Sequence, residues 1–415
     1  MSDSISFLTD ERPEALRGVK FYLETFGCQM NDYDSDGLAE LLKREGLAQV
    51  DRPEDARVIL VNSCSVREAV EEKILGRLSQ LGAHRATGNA KVLGVVGCMA
   101  QRLGPEVQRR VPRVDLVMGT EAYPRMPEYL KRALEAPAGE GVRIVDRERS
   151  ASAAHPVPPA YASHFRAFVT IMRGCDNHCT FCIVPTTRGP EVSRPAGDIL
   201  REVARLAEGG TFDITLLGQN VNSYRWGALN FSGLLRAVGD VPGVRRVRFT
   251  TSNPQDMTDD VLLAVAEHPN IVEHIHLPVQ AGNDRVLESM HRFYTRARYL
   301  QLVARARALM PQLALTTDLI VGFPGETEEE FEETLSLCRE VEYDTAFAFK
   351  FSPRSGTPAA DMEDQLPESV KAARLARLLT LQKQITDRKS LALVGRRVEL
   401  ALEKAHPKLA GQALA

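Results

Sequence analysis

The chain has 415 residues and a formal net charge of −3, with 44% hydrophobic and 26% charged residues. That balance is too apolar for a disordered chain and gives length for two or three domains, while no apolar run reaches the ~18 residues of a membrane span. Seven widely spread cysteines in so long a chain exclude a disulfide-stapled scaffold and point to metal or redox chemistry in a reducing cytoplasm.

In chain order, the first residues, Met1-Ser-Asp-Ser-Ile-Ser-Phe, have an acidic start and no apolar stretch, so no secretory signal is expected. Residues 19–134 alternate short apolar runs with helical periodicity. Val19–Thr25, Arg57–Val61, Lys91–Val96 and Val114–Met118 read as buried strands, and Asp34–Glu45, Val66–Arg85 and Ala122–Leu134 as helices. This predicts an open parallel sheet of Rossmann or flavodoxin type with helices on both faces. Cys28, Cys64 and Cys98 each fall just past one of those strands. The carboxyl ends of parallel strands share one edge, where ligands bind, so three cysteines distant in sequence should converge. One such cysteine is most simply a small core residue. Three at equivalent positions, with Gly27 and Gly97 allowing tight turns, read better as a three-thiolate metal site.

Residues 135–164 hold the Pro/Gly/Ala-rich stretches Glu135-Ala-Pro-Ala-Gly-Glu-Gly and Ala151-Ser-Ala-Ala-His-Pro. They read as a linker. From 165 to 390 strand candidates recur: Arg166–Met172, Asp213–Leu217, Arg246–Thr251, Glu273–Pro278, Ala314–Val321 and Thr345–Phe351. Helices are predicted between them at Ala196–Ala207, Ser232–Val238, Thr258–Ala266, Asp284–Ser289, Thr295–Leu309 and Glu326–Val341. Six strand–helix units predict a partial, open (β/α)6 barrel with its chemistry at the strand C-termini.

After the first of these strands come Cys175, Cys179 and Cys182, spaced C-x3-C-x2-C. Three thiolates from one short loop can hold three corners of a four-iron cubane and leave the fourth iron open. A zinc loop is the alternative, but zinc usually pairs two short spacings from separate loops, and His178 beside Cys179 points poorly for a fourth ligand. The turns after later strands carry Gln219 and Asn220, Ser252, Gln280 and Gly322. Each alone is an ordinary βα turn; together they offer amide and small residues for a nucleoside and an amino acid. Thr187, Arg188 and Arg194, just past the cysteine loop, are candidate anion contacts. Cys338 lies in a helical stripe with Phe331 and Leu335 and reads as core. Residues 367–390 read as a helix with Leu375, Leu378, Leu379 and Ile385 on an apolar side.

The motifs Phe26-Gly-Cys-Gln-Met-Asn-Asp, Val61-Asn-Ser-Cys-Ser-Val-Arg-Glu, Gly97-Cys-Met-Ala-Gln-Arg, Leu217-Gly-Gln-Asn-Val-Asn-Ser-Tyr and His276-Leu-Pro-Val-Gln-Ala-Gly accompany the cysteine loop. Together they resemble the radical S-adenosylmethionine methylthiotransferases, from about Lys20 to about Arg397. The resemblance implies two [4Fe–4S] clusters with three Cys ligands each: a radical cluster on Cys175, Cys179 and Cys182, and an auxiliary, sulfur-supplying cluster on Cys28, Cys64 and Cys98. It implies S-adenosylmethionine contacts among Gln219, Asn220, Ser252, Gln280, Gly322 and Arg188. Many relatives in the wider superfamily carry a Glu after the second strand to hold the methionine amine; here Gly218-Gln219-Asn220 has no carboxylate. The residues around Cys28 resemble the branch that adds a methylthio group at C2 of N6-isopentenyladenosine, position 37 of tRNA. Other branches act on a ribosomal-protein aspartate or on threonylcarbamoyl-adenosine tRNA. A reducing donor of flavodoxin or ferredoxin type is implied, and no membrane. A plain electron carrier or a zinc-stabilised RNA-binding module are the alternatives from other classes. Residues 391–415 resemble the beginning of a small RNA-binding β-barrel, the TRAM domain, cut short. Net charge does not decide an RNA partner; the candidate basic patches are Arg245, Arg246 and Arg248, and the run Arg292, Arg296, Arg298, Arg305 and Arg307. Solvated surface is the more ordinary reading of each.

Overall fold

The computed structural model describes residues 16–66, 68–86, 90–137, 141–149, 165–397, 404–405 and 413–414. The chain forms two compact units, one from Met1–Ala160 with Ile183–Pro190 and the other from Tyr161–Cys182 with Glu191–Ala415.

The first unit runs β1 (Lys20–Thr25), α1 (Gln29–Arg44), β2 (Ala48–Gln49), β3 (Val58–Ser63), α2 (Glu68–Ala86), β4 (Val92–Gly97), α3 (Cys98–Leu103), α4 (Pro105–Arg110), β5 (Leu116–Met118), α5 (Met126–Glu135) and β6 (Ile144–Asp146), and it includes the later helical turn α6 (Val184–Arg188). The strands pair in the order β2-β1-β3-β4-β5-β6, parallel throughout. β3 and β4 are buried along their whole length because both faces are covered. Alternation then sorts the side chains. Val58 and Leu60 join the layer with Leu38 and Leu42 of α1, while Ile59 and Val61 join the layer with Ile74 and Leu78 of α2. The strand order reverses between β1 and β3, so the carboxyl ends of those two strands flank a crevice. α1 starts earlier than the sequence predicts, because Cys28 and Asn31 form a reciprocal cap at its first turn. β6 lies inside the stretch expected to be linker. The remainder of that stretch at 138–140 and 150–164 lies outside the described residues.

The second unit contains β7 (Arg166–Thr170), β8 (Met172–Arg173), β9 (Val192–Ser193), α7 (Ala196–Glu208), β10 (Asp213–Leu217), the hairpin β11–β12 (Arg225–Trp226, Leu229–Asn230) and α8 (Phe231–Gly239). It continues with β13 (Arg246–Phe249), α9 (Asp259–Glu267), β14 (His274–His276), α10 (Asp284–Ser289), α11 (Arg296–Leu309), β15 (Ala314–Val321), α12 (Glu328–Val341), β16 (Thr345–Lys350) and α13 (Glu368–Leu391). β7, β10 and β13 pair in parallel, as do β14, β15 and β16. A single parallel bridge, Val247 to Ile271, joins the two sets. Six strands therefore follow one another in sequence order. Among the described residues none of the ladders pairs β16 with β7, which is the partial barrel the sequence predicts.

The expected first barrel strand is interrupted. Ile171 still donates to Leu217 O at 2.9 Å, but its own carbonyl accepts from Arg194 N at 2.8 Å. Met172 and Arg173 then pair antiparallel with Ser193 and Val192. Side-chain caps start several helices: Asn283 accepts from Val286 N, and Thr295 from Arg298 N. On α13, Leu378 and Ile385 are buried, whereas Leu379 is exposed. Cys338 is a core residue. Of the expected TRAM-like segment, the described residues are 391–397, which end α13 and turn away from it, and a short antiparallel pair, Lys404–Ala405 with Ala413–Leu414. No described helix is long and apolar enough to cross a membrane.

Candidate active site: two groups of three cysteines

The first group sits on a loop closed at its base by β8 and β9. Gly174 leaves β8 at φ +72°, and its N–H donates to Gln219 Oε1 at 2.6 Å. Thr180 fixes the middle of the loop. Its hydroxyl donates to Ser289 O at 2.9 Å, its N–H to Met290 O at 3.2 Å, and its carbonyl accepts from Ala359 N at 2.9 Å. Asp176 Oδ1 accepts from Glu191 N at 2.9 Å. Cys175 and Cys179 are buried and Cys182 is partly so. Donors face two of the sulfurs: Asn177 Nδ2 is 3.6 Å from Cys175 Sγ, and Arg292 Nη1 is 3.3 Å from Cys179 Sγ. Burial pushes the Cys175 thiol up, and the Asn177 bonds oppose that. Such donors favour the thiolate that a metal requires.

Around this loop the strand ends are cross-linked by amides. Asn222 Nδ2 donates to Asn253 O at 2.8 Å and Asn222 Oδ1 accepts from Asn253 N at 2.9 Å. Asn220 Nδ2 donates to Asp256 Oδ2 at 2.7 Å. Asn220 Oδ1 and Ser252 Oγ are buried and have no hydrogen-bond partner among the described residues. Burial raises the Glu191 carboxyl above the usual range, and the Asp176 and Asp256 carboxylates add to it. Thr251 and Gln280 hold φ of +62° and +73° without being glycine, a conformation that ordered surroundings must enforce. For Gln280 they do: its N–H donates to Asp318 O and its carbonyl accepts from Ile320 N. Gly322 has a packing role, since a Cβ there would fall against Lys371. Its N–H donates to Glu326 Oε2 at 2.6 Å, and Arg374 pairs with the same oxygen at 2.8 Å.

The second group lies in the first unit. Cys28 caps α1, Cys64 follows β3 and Cys98 opens α3. A buried amide network locks their three turns together. Asn31 Nδ2 donates to Asn62 Oδ1 at 3.1 Å and Ser63 O at 3.2 Å, and Asn62 Nδ2 returns to Asn31 O at 2.9 Å. Ser63 Oγ donates to Val96 O and accepts from Ala100 N. Gly27 and Gly97 are required here, at φ +144° and +93°. A Cβ on Gly27 would lie 2.7 Å from Asn31 Cγ, and one on Gly97 would lie 2.6 Å from Ser63 O. Cys98 is buried, which pushes its thiol up to about 11; Cys28 and Cys64 are near enough to add to that, and Arg188 opposes it.

Arg188, expected as an anion contact, has its partners within the first unit. It packs with the first unit, where its guanidinium stands 2.7 Å from Asp34 and 3.2 Å from Cys98 Sγ. Its Nε donates to the sulfur and its Nη2 forms an ion pair with the carboxylate. The basic patches fare similarly. Arg246 and Arg248 approach the fully buried Asp213 at 3.8 and 3.5 Å. Arg296 pairs with Glu340 and Arg305 with Asp259, while Arg307 donates to Val341 O. The roles of Arg292, Asp34 and Asp256 had no local signal in the sequence, because their partners lie far along the chain.

Among the described residues, no three His, Cys, Asp or Glu side chains gather as a single ion's shell does. A four-iron cubane needs less convergence, since each thiolate holds its own iron. The residues fit that group: each site has three thiols, fixed turns, and N–H donors facing a sulfur. An orphaned buried polar atom stands near each as well, Asn220 Oδ1 beside the first loop and Tyr123 Oη beside Cys98.

Residues 169–338 match the Radical SAM superfamily, and residues 20–119 match Uncharacterized protein family UPF0004. Among solved structures, the fold is similar to the radical S-adenosylmethionine methyltransferase TsrM from Kitasatospora setae, with TM-score 0.61 and 13% identity over 83% of this chain and 77% of that one. It is also similar to the cobalamin-dependent radical enzyme OxsB, with TM-score 0.59 and 12% identity over 90% of this chain but 56% of that longer one. At such identities the likeness shows the fold alone, that of a radical S-adenosylmethionine enzyme. Curated relatives narrow it. The tRNA-2-methylthio-N(6)-dimethylallyladenosine synthase of Sulfurihydrogenibium sp. is 45% identical over 93% of this chain and 89% of its own length. That of Moorella thermoacetica is 46% identical over 92% and 87%. The chain belongs to the tRNA-2-methylthio-N(6)-dimethylallyladenosine synthase family.

Proposed function

We propose that this chain is a tRNA methylthiotransferase that replaces the C2 hydrogen of N6-isopentenyladenosine, at position 37 beside the anticodon, with a methylthio group. The observation that carries the reading is 45% identity to a synthase of that name over 93% of the chain. Cys175, Cys179 and Cys182 would hold one [4Fe–4S] cluster, and Cys28, Cys64 and Cys98 a second. When bound, the first supplies the electron that cleaves S-adenosylmethionine to a 5′-deoxyadenosyl radical, and the second supplies sulfur, methylated by another S-adenosylmethionine.

The chain's own residues orient and shield. Arg292 and Asn177 hold the Cys179 and Cys175 sulfurs by donation. Gln219 fixes the backbone at the start of the loop. Asn220, Ser252, Asp256 and Gln280 line the strand ends, where polar groups suit the amino-acid end of S-adenosylmethionine. Asp256 supplies the carboxylate missing from the turn after β10, and a carboxylate suits an ammonium. On this reading the electron comes from a reducing donor of flavodoxin or ferredoxin type, and the reaction is cytoplasmic.

The test is anaerobic incubation of the reconstituted protein with S-adenosylmethionine, a reductant and bulk tRNA carrying isopentenyladenosine but no methylthio group. Nucleoside mass spectrometry should show the methylthio product. 5′-Deoxyadenosine without any methylthio nucleoside would refute the substrate.

A further inference from the structure

Arg188 is 7% exposed, and it lies on the helical turn Val184–Arg188 of the first unit. Its Nη2 stands 2.7 Å from Asp34 Oδ2, and Asp34 is itself buried on α1. Its Nε donates to Cys98 Sγ at 3.2 Å. Beside them Tyr123 is buried, and its hydroxyl has no hydrogen-bond partner among the described residues. Tyr123 lies within electrostatic reach of Asp34, Arg188 and Cys98. A buried ion pair is a weak source of stability, since apolar residues of similar volume pack as well or better. A buried hydroxyl without a partner is costly. A charged, polar shell at this one corner is therefore better explained by what Cys98 would hold than by packing.

We propose that Arg188 is a positioning residue for the cluster on Cys28, Cys64 and Cys98: Asp34 fixes the guanidinium, which donates to the Cys98 sulfur and favours the one-electron-reduced cluster. The inference rests on the reading of this group as a cluster site. Reduction adds one negative charge to the cluster, with the electron drawn from an external low-potential reductant; no bond breaks and no proton moves. A fixed cation beside the sulfur stabilises that added charge, and its carboxylate partner opposes it. Removing the cation should lower the reduction potential, and removing the carboxylate should raise it.

The test uses the full chain with Cys175, Cys179 and Cys182 all changed to Ala, so that only the second group can hold iron. After anaerobic reconstitution with iron and sulfide, the cluster is titrated with dithionite and followed by electron paramagnetic resonance. Arg188→Met should shift the potential to more negative values at undiminished iron content. Asp34→Asn should shift it to more positive values, and Arg188→Lys should lie between Arg188→Met and the parent. A role in packing alone would not give opposite signs. Equal potentials in the parent, Arg188→Met and Asp34→Asn overturn the inference. If Arg188→Met holds no iron, Asp34→Asn and Arg188→Lys decide on the same terms. A parent of this background that binds no iron, with Arg188 intact, overturns the cluster reading itself and the inference with it.

Discussion

Gly97→Ala should damage the second cysteine group more than any other single methyl group added at a turn of that unit. Gly97 stands at φ +93°, ψ −159°, a region open essentially to glycine alone, where another residue costs ~1–3 kcal/mol. The new methyl would also lie 2.6 Å from Ser63 O and closer still to Asn62 Oδ1. Both accept from Asn31 Nδ2 in the network that locks the cysteine turns. Backbone cannot swing aside as a flexible side chain can, and overpacking of this kind costs ~1–3 kcal/mol more. The sum is about 2–6 kcal/mol, a large share of the ~5–15 kcal/mol typical of a domain. Gly18→Ala is the control. Gly18 has φ +77° in the same unit, and a Cβ there meets nothing within 4 Å. It should cost only the backbone penalty of ~1–2 kcal/mol. Thermal unfolding and iron content are the assays, the latter in the background lacking the first group's cysteines. At roughly 2–4 °C per kcal/mol for a unit of this size, Gly97→Ala should melt on the order of 10 °C below the parent and lose iron. Gly18→Ala should fall only a few degrees and keep it. Equal melting of the two variants, with iron retained in both, would refute the account of how these turns are held.

Three further outcomes are expected. Cys175→Ala, Cys179→Ala and Cys182→Ala should each abolish 5′-deoxyadenosine formation, measured by chromatography of anaerobic reactions; normal formation in the triple variant would remove the radical role of that loop. The Cys28/Cys64/Cys98 triple-Ala variant should still form 5′-deoxyadenosine but no methylthio nucleoside, and a wild-type rate of product would make those cysteines structural. Asp256→Asn keeps the size of a side chain bonded to Asn220 but removes a charge. Loss of one charged hydrogen bond, ~1.5–3 kcal/mol, should weaken S-adenosylmethionine binding about 10- to 100-fold in equilibrium dialysis; an unchanged dissociation constant would exclude Asp256 from that contact.

The elements legible in the sequence are those with strong apolar periodicity. β3, β4, β10 and β15 and the helices α10 and α12 fall within a residue or two of their expected bounds, because short apolar runs and side-chain caps are local signals. The two cysteine groups carry different signals: Cys28, Cys64 and Cys98 each lie just beyond a separate strand, a position that parallel topology makes meaningful, whereas Cys175, Cys179 and Cys182 share one loop and stand out by their C-x3-C-x2-C spacing. What escaped is short or distant. β2, β8 and β9 have two residues each, too few for any period. β6 has three residues between Pro/Gly/Ala-rich and charged stretches, and it pairs along β5. Arg188 was read from its neighbours in sequence, yet its partners are Asp34 and Cys98. Arg246 and Arg248 looked like surface charge, yet they turn toward Asp213 on the adjacent strand. A pairing made by tertiary structure leaves no mark in the local pattern.

Paired tRNAs that differ only in the isopentenyl group at position 37 test the central claim most directly. An apolar slot gains only ~1–3 kcal/mol per methylene, but a five-carbon group spans several. Methylthio product is expected on the isopentenylated tRNA and almost none on its unmodified partner, with phosphate-driven binding of both weakening as salt rises. Equal turnover on the two tRNAs, or turnover on a ribosomal protein with none on tRNA, would contradict the claim.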